Sequence, residues 1–453
     1  MEKRQENKMG VMPVNKLLIT MSIPMMISMM FMAFYNIVDS IFVARLNEDA
    51  LTAVSLAFPI QNLMIAFGTG TGVGVNALLS RSLGAKKYDY ANKIANTGIK
   101  LAVITAFVFA MIGIFFGKIF YHVQTTDPVI TKYGIAYVRI VTIMSFGMFT
   151  QMMNEKLLQS TGKTFPSMVT QMTGTIINLI LDPIMIFGLF GFPRLEVAGA
   201  ALATVTGQIV AAIAAVVVNL KVNKEIEINL VKHKMSLDVV GHIYSIGIPS
   251  IIMAAIGSVM NFGLNRILMS FTKTAIAVFG VYFKLQSIVF MPVFGLNNGM
   301  VPIIAYNYGA KKPDRIVKTI KLSIMYAVGI MFVGCVIFQT KPDVLLSMFN
   351  ASPDMMTIGI QALRTISVCF VFAGYGIVLS STFQAFGHGV LSLMVSLVRQ
   401  LIFLLPAAYV FSKIGGLAAV WFAFPFAEVA SVSLCTAFIF HIYRKEVKPL
   451  YEK

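Results

Sequence analysis

Residues 17–43 read LLITMSIPMMISMMFMAFYNIVDSIFV. The run holds no Lys or Arg, and Asp39 is its single charge. A helix crosses the hydrocarbon core of a bilayer with about 20 consecutive apolar residues, so this run is long enough to span. The charged stretch Met1–Lys16 before it resembles the start of a signal peptide. The apolar run is too long for such a core, and no small-residue cleavage motif ends it, so it reads as an uncleaved first span.

Eleven further runs follow. The twelve lie near 17–44, 52–80, 96–118, 133–158, 166–190, 197–219, 241–269, 276–305, 317–338, 356–383, 390–411 and 416–442. The composition agrees: 57% of the 453 residues are hydrophobic and 12% are charged, against about 25% charged in a soluble domain. A soluble fold could not hide that apolar surface, and a disordered chain would be polar. Barrel strands need only about 9–11 residues, so these are helices. The net charge of +17 follows the positive-inside rule. Alternate connections carry Lys3, Arg4, Lys8 and Lys16; Arg81, Lys86, Lys87 and Lys93; Lys163; Lys221, Lys224, Lys232 and Lys234; Lys311, Lys312, Arg315 and Lys318; and Arg444, Lys445 and Lys448. Both termini and the central linker are therefore predicted cytoplasmic. No basic groove with interleaved aromatics suggests a nucleic-acid partner. Cys335, Cys369 and Cys435 fall inside apolar runs and read as packing residues.

The chain repeats at a spacing of 225 residues. Pro24, Asn36, Gln61, Gly70 and Gly74 match Pro249, Asn261, Gln286, Gly295 and Gly299. Gly84-Ala85-Lys86-Lys87 matches Gly309-Ala310-Lys311-Lys312, and Pro128, Gly134 and Arg139 match Pro353, Gly359 and Arg364. Each half holds six runs, an even number, so both enter the membrane in the same sense. The predicted fold class is all-α polytopic membrane protein, with 12 transmembrane helices in two six-helix bundles related by a pseudo-two-fold axis along the membrane normal. The predicted lobes are 1–218 and 241–453, joined by a linker at 219–240.

Acids inside the runs are the candidate functional residues. A charged Asp at a span centre costs about 2.5–3.5 kcal/mol on insertion scales and is functional by default. Of 19 acids, Asp39, Asp182 and Glu428 sit well inside a run, with Glu155 nearer an end. Asn36 is three residues before Asp39 and Asn178 four before Asp182, on shared helix faces. Pro183 frees the carbonyl of Leu179. A freed carbonyl beside a carboxylate and an amide oxygen suits Na⁺ and equally a proton relay. Thr204 follows the small residues Gly199-Ala200-Ala201, which permit close helix approach. The second half aligns Leu264 with Asp39, and its polar groups are Glu428, Arg399, Gln400, Asn261 and Asn265. Glu428 is expected either to bind substrate or to pair with Arg399.

Asn36-Ile37-Val38-Asp39, Ser80-Arg81-Ser82-Leu83-Gly84-Ala85-Lys86, Asn178 to Asp182-Pro183, Val197-Ala198-Gly199-Ala200-Ala201, Gly247-Ile248-Pro249-Ser250 and Phe290-Met291-Pro292 occur in order. In these stretches the chain resembles the multidrug and toxic compound extrusion (MATE) family, in its DinF-like prokaryotic branch, over nearly its whole length. The resemblance implies an antiporter in a prokaryotic plasma membrane, coupled to H⁺, Na⁺ or both, exporting organic cations and amphiphilic drugs by alternating access. It implies an ion site at Asp39, Asn178, Asp182 and Thr204, with the Ala200 carbonyl, and Na⁺ is one candidate ligand there. Asn36, Glu428, Gln400 and Asn261 are the candidate cargo contacts. No cofactor is expected, the partners are small molecules and membrane lipids, and a monomer is expected. The alternative is a flippase for a lipid-linked saccharide or a lipid, a task of related two-lobe folds. Such a flippase would favour an Arg- and Lys-rich cleft to hold phosphates. An enzyme is not expected: the five histidines are scattered and no His-Glu-x-x-His or Gly-x-Ser-x-Gly occurs.

Overall fold

Helix starts fall where side chains can hold the free backbone N–H groups, and they do so in register with the repeat. Asn47 Oδ1 accepts from Ala50 N at 2.7 Å, and Thr272, 225 residues on, accepts from Ala275 N at 3.0 Å. Asp127 accepts from Val129 N and Ile130 N at 2.8 and 3.0 Å, and its counterpart Ser352 accepts from Met355 N at 3.3 Å. Pro128 and Pro353 follow these caps at the first helical position, where a missing N–H costs nothing. The repeat thus conserves cap geometry where residue identity has changed.

A computed structural model describes residues 6–349 and 351–452; Lys3 and Arg4 lie outside them. Its helices are α1 (Lys8–Val11), α2 (Val14–Ala44), α3 (Glu48–Gly84), α4 (Tyr88–Gln124), α5 (Pro128–Ile143), α6 (Phe146–Ser160), α7 (Thr164–Phe187) and α8 (Glu196–Val222). There follow α9 (Leu237–Met269), α10 (Lys273–Gly309), α11 (Pro313–Thr340), α12 (Pro342–Ser347), α13 (Pro353–Ser367), α14 (Phe370–Phe386), α15 (Gly389–Leu397), α16 (Leu405–Val420) and α17 (Ala423–Ile442). A wide-turn π segment, Val398–Leu404, joins α15 to α16, and α16 breaks at Gly416, whose φ is 66°.

Ten helices are long and apolar enough to cross a membrane, and up to twelve spans result if each of two bent pairs is one span. Those pairs are α5–α6, bent by 44°, and α13–α14, bent by 50°. The sequence suggests unbroken runs there, because no Pro marks either break. Ser145 at the first break instead donates to the Ala106 carbonyl at 3.2 Å, and Cys369 at the second sends its thiol to the Ile366 carbonyl at 3.0 Å. The first break is thus tied to the neighbouring α4, and the second sits where a local thiol bond competes with the helix ladder.

The chain packs as two units. One is Ile27–Ile248; the other combines the described residues up to Met26 with those from Pro249 on. The division therefore falls inside α2 just after Pro24 and inside α9 just before Pro249. Within Ile27–Ile248, the start of α9 lies on α3. A Cβ on Gly247 would come 3.0 Å from the Gly70 carbonyl, and one on Gly74 would strike the Ile243 carbonyl. Within the other unit, the start of α2 lies on α10. A Cβ on Gly295 would come 2.5 Å from Met26 Cα, and one on Gly299 would come 2.8 Å from Ser22 Cα. These four glycines are repeat mates, so both units use the same small-residue crossing.

The linker belongs to the unit Ile27–Ile248. Asn92 and Asn96, one turn apart on α4, bond the backbone N–H groups of Glu227 and Asn229 at 2.8 and 2.9 Å. Lys100, a further turn on, donates to the His233 carbonyl at 2.7 Å. The hydrogen-bonded Lys232 beside Glu227 holds that carboxyl below its usual range.

Candidate ion site and a second buried acid

Two glycines set the first site. A Cβ on Gly207 of α8 would lie 2.5 Å from the Gly174 carbonyl of α7 and 3.0 Å from Asn178 Cβ. The backbones can approach that closely only without side chains at the crossing. The approach brings α7 onto Thr204, where Asn178 Nδ2 donates to Oγ1 at 3.1 Å. The Thr204 hydroxyl is thereby tied to the neighbouring helix.

Asp182 follows Asn178 by one turn and is fully buried. Its carboxyl lies within hydrogen-bond reach of the Asp39 carboxyl on α2. No N–H or O–H donor of the described residues reaches Asp182 Oδ1, Asp182 Oδ2 or Asp39 Oδ1, and Asn178 Oδ1 is likewise without a partner. Among the described residues no Lys, Arg or His forms an ion pair with either acid. The structure thus brings together Asp39, Asn178, Asp182 and Thr204.

It adds three residues that sequence reasoning missed. Tyr35 lies beside Thr204 and is close enough to both acids to feel their charge. Tyr137 accepts from Gln61 Nε2 at 2.8 Å and is close enough to both acids to feel their charge. The usable signal was spacing: Tyr35 stands four residues before Asp39, on the same face, and Gln61 matches Gln286 in the repeat. Asn36, expected beside Asp39, is exposed, and its backbone carbonyl accepts from Ser40 at 2.9 Å. Glu155 is buried elsewhere in this unit and accepts from Gln151 Nε2 at 3.0 Å.

Two carboxyls in contact cannot both ionise without a positive charge between them. Every unpartnered atom here is an oxygen. Such a set can share a proton or surround a hard monovalent cation, which takes oxygen ligands.

The other unit is built differently. Leu264, the counterpart of Asp39, is fully buried, and Gly263 beside it faces the Leu405 side chain. Glu428 on α17 pairs with Arg399 of the π segment at 3.7 Å. Gln400 Oε1 lies 3.8 Å from where a Cβ on Gly257 would stand, one turn before Asn261, whose Oδ1 has no partner. Asn261 and Gln400 are half-buried, whereas Glu428 is 6% exposed.

The MatE family model matches residues 24–184 and 249–410. The chain is 26% identical over 429 residues to the multidrug export protein MepA of Staphylococcus haemolyticus, covering 94% of this chain and 93% of that one. It is 26% identical over 431 residues to an FAD transporter of Shewanella oneidensis, covering 93% and 94%. Its fold matches that of an outward-facing multidrug resistance MATE transporter with a TM-score of 0.92 over 100% of both chains, at 23% identity. A transporter from Pyrococcus furiosus matches with a TM-score of 0.89, again over 100% of both chains, at 22% identity. Two matched segments that begin at the repeat-related Pro24 and Pro249 and together cover most of the chain make this protein a member of the MATE transporter family.

Proposed function

We propose that the chain is a cation-coupled multidrug antiporter of a bacterial plasma membrane, with both termini cytoplasmic. The observation that carries the reading is the Asp39–Asp182 pair: a fully buried carboxyl beside a half-buried one, with the unpartnered Asn178 oxygen one turn away and no basic partner among the described residues. Such a group is stable in a membrane only when it holds an added positive charge. That charge is the coupling ion, H⁺ or Na⁺. Thr204, fixed by Asn178 and beside Tyr35, lines the same group. Asn36, Asn261 and Gln400 are the proposed cargo contacts, and the resemblance to a multidrug export protein supports organic cations and amphiphilic drugs as cargo.

Ion and cargo are coupled by linkage, because each favours a different state of one protein. Uptake of the ion at Asp39–Asp182 favours release of cargo outside. Binding of cargo from the cytoplasm favours the ion-free state. Pro24 interrupts the ladder of the helix that carries Asp39, so that helix has a built-in place to bend.

The test is ethidium efflux from drug-sensitive bacteria expressing wild type, Asp39→Asn or Asp182→Asn at matched levels, with Na⁺ and pH gradients imposed separately. The expected result is gradient-driven export in wild type and none in either variant; the gradient that drives it names the ion. Undiminished export by both variants would overturn the assignment.

A further inference from the structure

Glu428 is nearly fully buried, yet its polar atoms are poorly satisfied. Oε2 is 3.7 Å from Arg399 Nη1, an ion-pair distance beyond hydrogen-bond reach. Oε1 has no partner. Ser431, three residues on along the same face of α17, is 1% exposed; its Oγ makes no bond to Glu428 and has the Cys435 thiol as its neighbour one turn on. Both oxygens border one small space over Gly376 of α14. A Cβ there would stand 3.5 Å from Glu428 Oε1 and 3.6 Å from Ser431 Oγ. Across that space, Asn297 of α10 donates to the carbonyl of Ile377, next to Gly376.

The titratable groups that sense Glu428 come from every side: Arg399 from the π segment, Tyr282 from α10, Cys369 from the α13–α14 break and Cys435 from its own helix. Arg399 is the cation that pairs with it among the described residues. A buried ion pair offsets its desolvation only with good geometry and hydrogen bonds on the remaining lone pairs. Here the pair is loose and Oε1 has no donor. A proton on Oε1 supplies the donor that is missing, and Ser431 Oγ, out of hydrogen-bond reach in this geometry, borders the same space and comes within reach of it by side-chain rotation. Arg399 is positioned to part from the acid: its side chain is 29% exposed, and a π segment is a local insertion typical of functional positions in helices.

We infer that Glu428 is a proton-exchange site of the second half, with Arg399 as the internal counter-ion of its ionised form and Ser431 as the hydrogen-bond partner of its neutral form. The step takes one proton from solution. A carboxylate paired with a guanidinium becomes a carboxylic acid bonded to a hydroxyl, and the guanidinium, still charged, is released. No other bond forms or breaks. The inference stands apart from the Asp39–Asp182 assignment, since it uses no residue of that group.

Infrared difference spectra between acid and alkaline pH test it on the full chain in lipid bilayers, read at the carboxylic-acid C=O stretch. The background is Asp39→Asn/Asp182→Asn, which removes the other candidate. Glu428→Gln in that background is expected to lose one pH-dependent C=O band. Arg399→Gln should keep the band to more alkaline pH, Arg399→Lys should restore the original range, and Ser431→Ala should move the band's frequency. A spectrum unchanged by Glu428→Gln overturns the proton site. An unchanged pH range in Arg399→Gln overturns the counter-ion. The two Arg399 variants keep the native carboxyl, so they decide the question even where Glu428→Gln does not fold.

Discussion

The two buried acid sites solve one problem in opposite ways. In the unit Ile27–Ile248, Asp39 and Asp182 touch, and no basic side chain among the described residues pairs with them. In the other unit, Glu428 faces Arg399. Fully ionised, the first group would carry two uncompensated negative charges, whereas the second would be neutral. On the proposed reading, the first obtains its positive charge from outside the protein, as the coupling ion. The second carries a counter-charge within the chain. A repeat that is symmetric in its caps and crossings has become asymmetric in charge.

Removing one charge should then have opposite consequences in the two units. Asp182→Asn is expected to reduce gradient-driven ethidium efflux to that of cells without the transporter, the largest effect of the series. Its folding should be unharmed or improved, because the amide removes a like charge and can donate to Asp39. Efflux and thermal unfolding of the same preparations check both parts. Normal export with a lowered melting temperature would break the comparison.

Arg399→Gln should do the reverse and cost stability. Removing one partner of a buried pair costs about 3 kcal/mol when the remaining group stays charged. The sign with pH follows. At low pH the lone Glu428 is protonated and the loss disappears. As pH rises, an ionised Glu428 has no counter-ion in the folded variant but is solvated in the unfolded chain, so stability falls. Melting temperature against pH, compared with wild type, measures it; a pH-independent loss would mean that Arg399 acts by packing alone.

A smaller effect separates the two sites by shape. Gly207→Ala would place a methyl group 2.5 Å from the Gly174 carbonyl, an overpacking cost of about 1–3 kcal/mol. It should also pull Thr204 from Asn178 and weaken export. Gly376→Ala meets Glu428 and Ser431 only at ordinary contact, 3.5 and 3.6 Å. It should fold as wild type does. Equal losses in the two variants would remove the distinction.

Much of this was legible in the sequence. The runs, the 225-residue offset, and Asp39 and Asp182 as intramembrane acids are statements about polarity and period, and a single chain displays those; that the two share one group was implied only by the family resemblance. The bends in α5–α6 and α13–α14 were not legible, because a serine and a cysteine stand at the breaks rather than a proline. Nor was the packing of the α2 start with α10, since a repeat shows which segments are equivalent and not which copy each one packs against. Tyr35 and Tyr137 were passed over because a tyrosine in an apolar run ordinarily packs. The exposure of Asn36 shows the limit of spacing: at three and at four residues before Asp39, both neighbours share its face, and tertiary packing turned the tyrosine inward.

The smallest prediction tests where the halves have stayed alike. After α3 and α10 the chain turns through Lys86 (φ 58°) and Lys311 (φ 55°), repeat mates in the left-handed region. Lys87 N bonds the Ser82 carbonyl at 2.9 Å, and Lys312 N bonds the Asn307 carbonyl at 3.0 Å, closing both helix ends in the same way. Glycine is the residue that this position ordinarily takes, because a Cβ there is strained. Lys86→Gly and Lys311→Gly should each stabilise by about 0.5 kcal/mol, the relief of left-handed strain less the greater freedom of glycine in the unfolded chain. Equal gains would mean that the two ends have kept one geometry while the acids diverged. A gain at Lys86 and a loss at Lys311 would instead trace to side-chain bonds, since Lys312 and Arg315 next to the second turn bind the backbone of Gly10 and Met12 at 2.9 and 2.7 Å. The asymmetry between the units would then reach the turns after α3 and α10 as well as the acids.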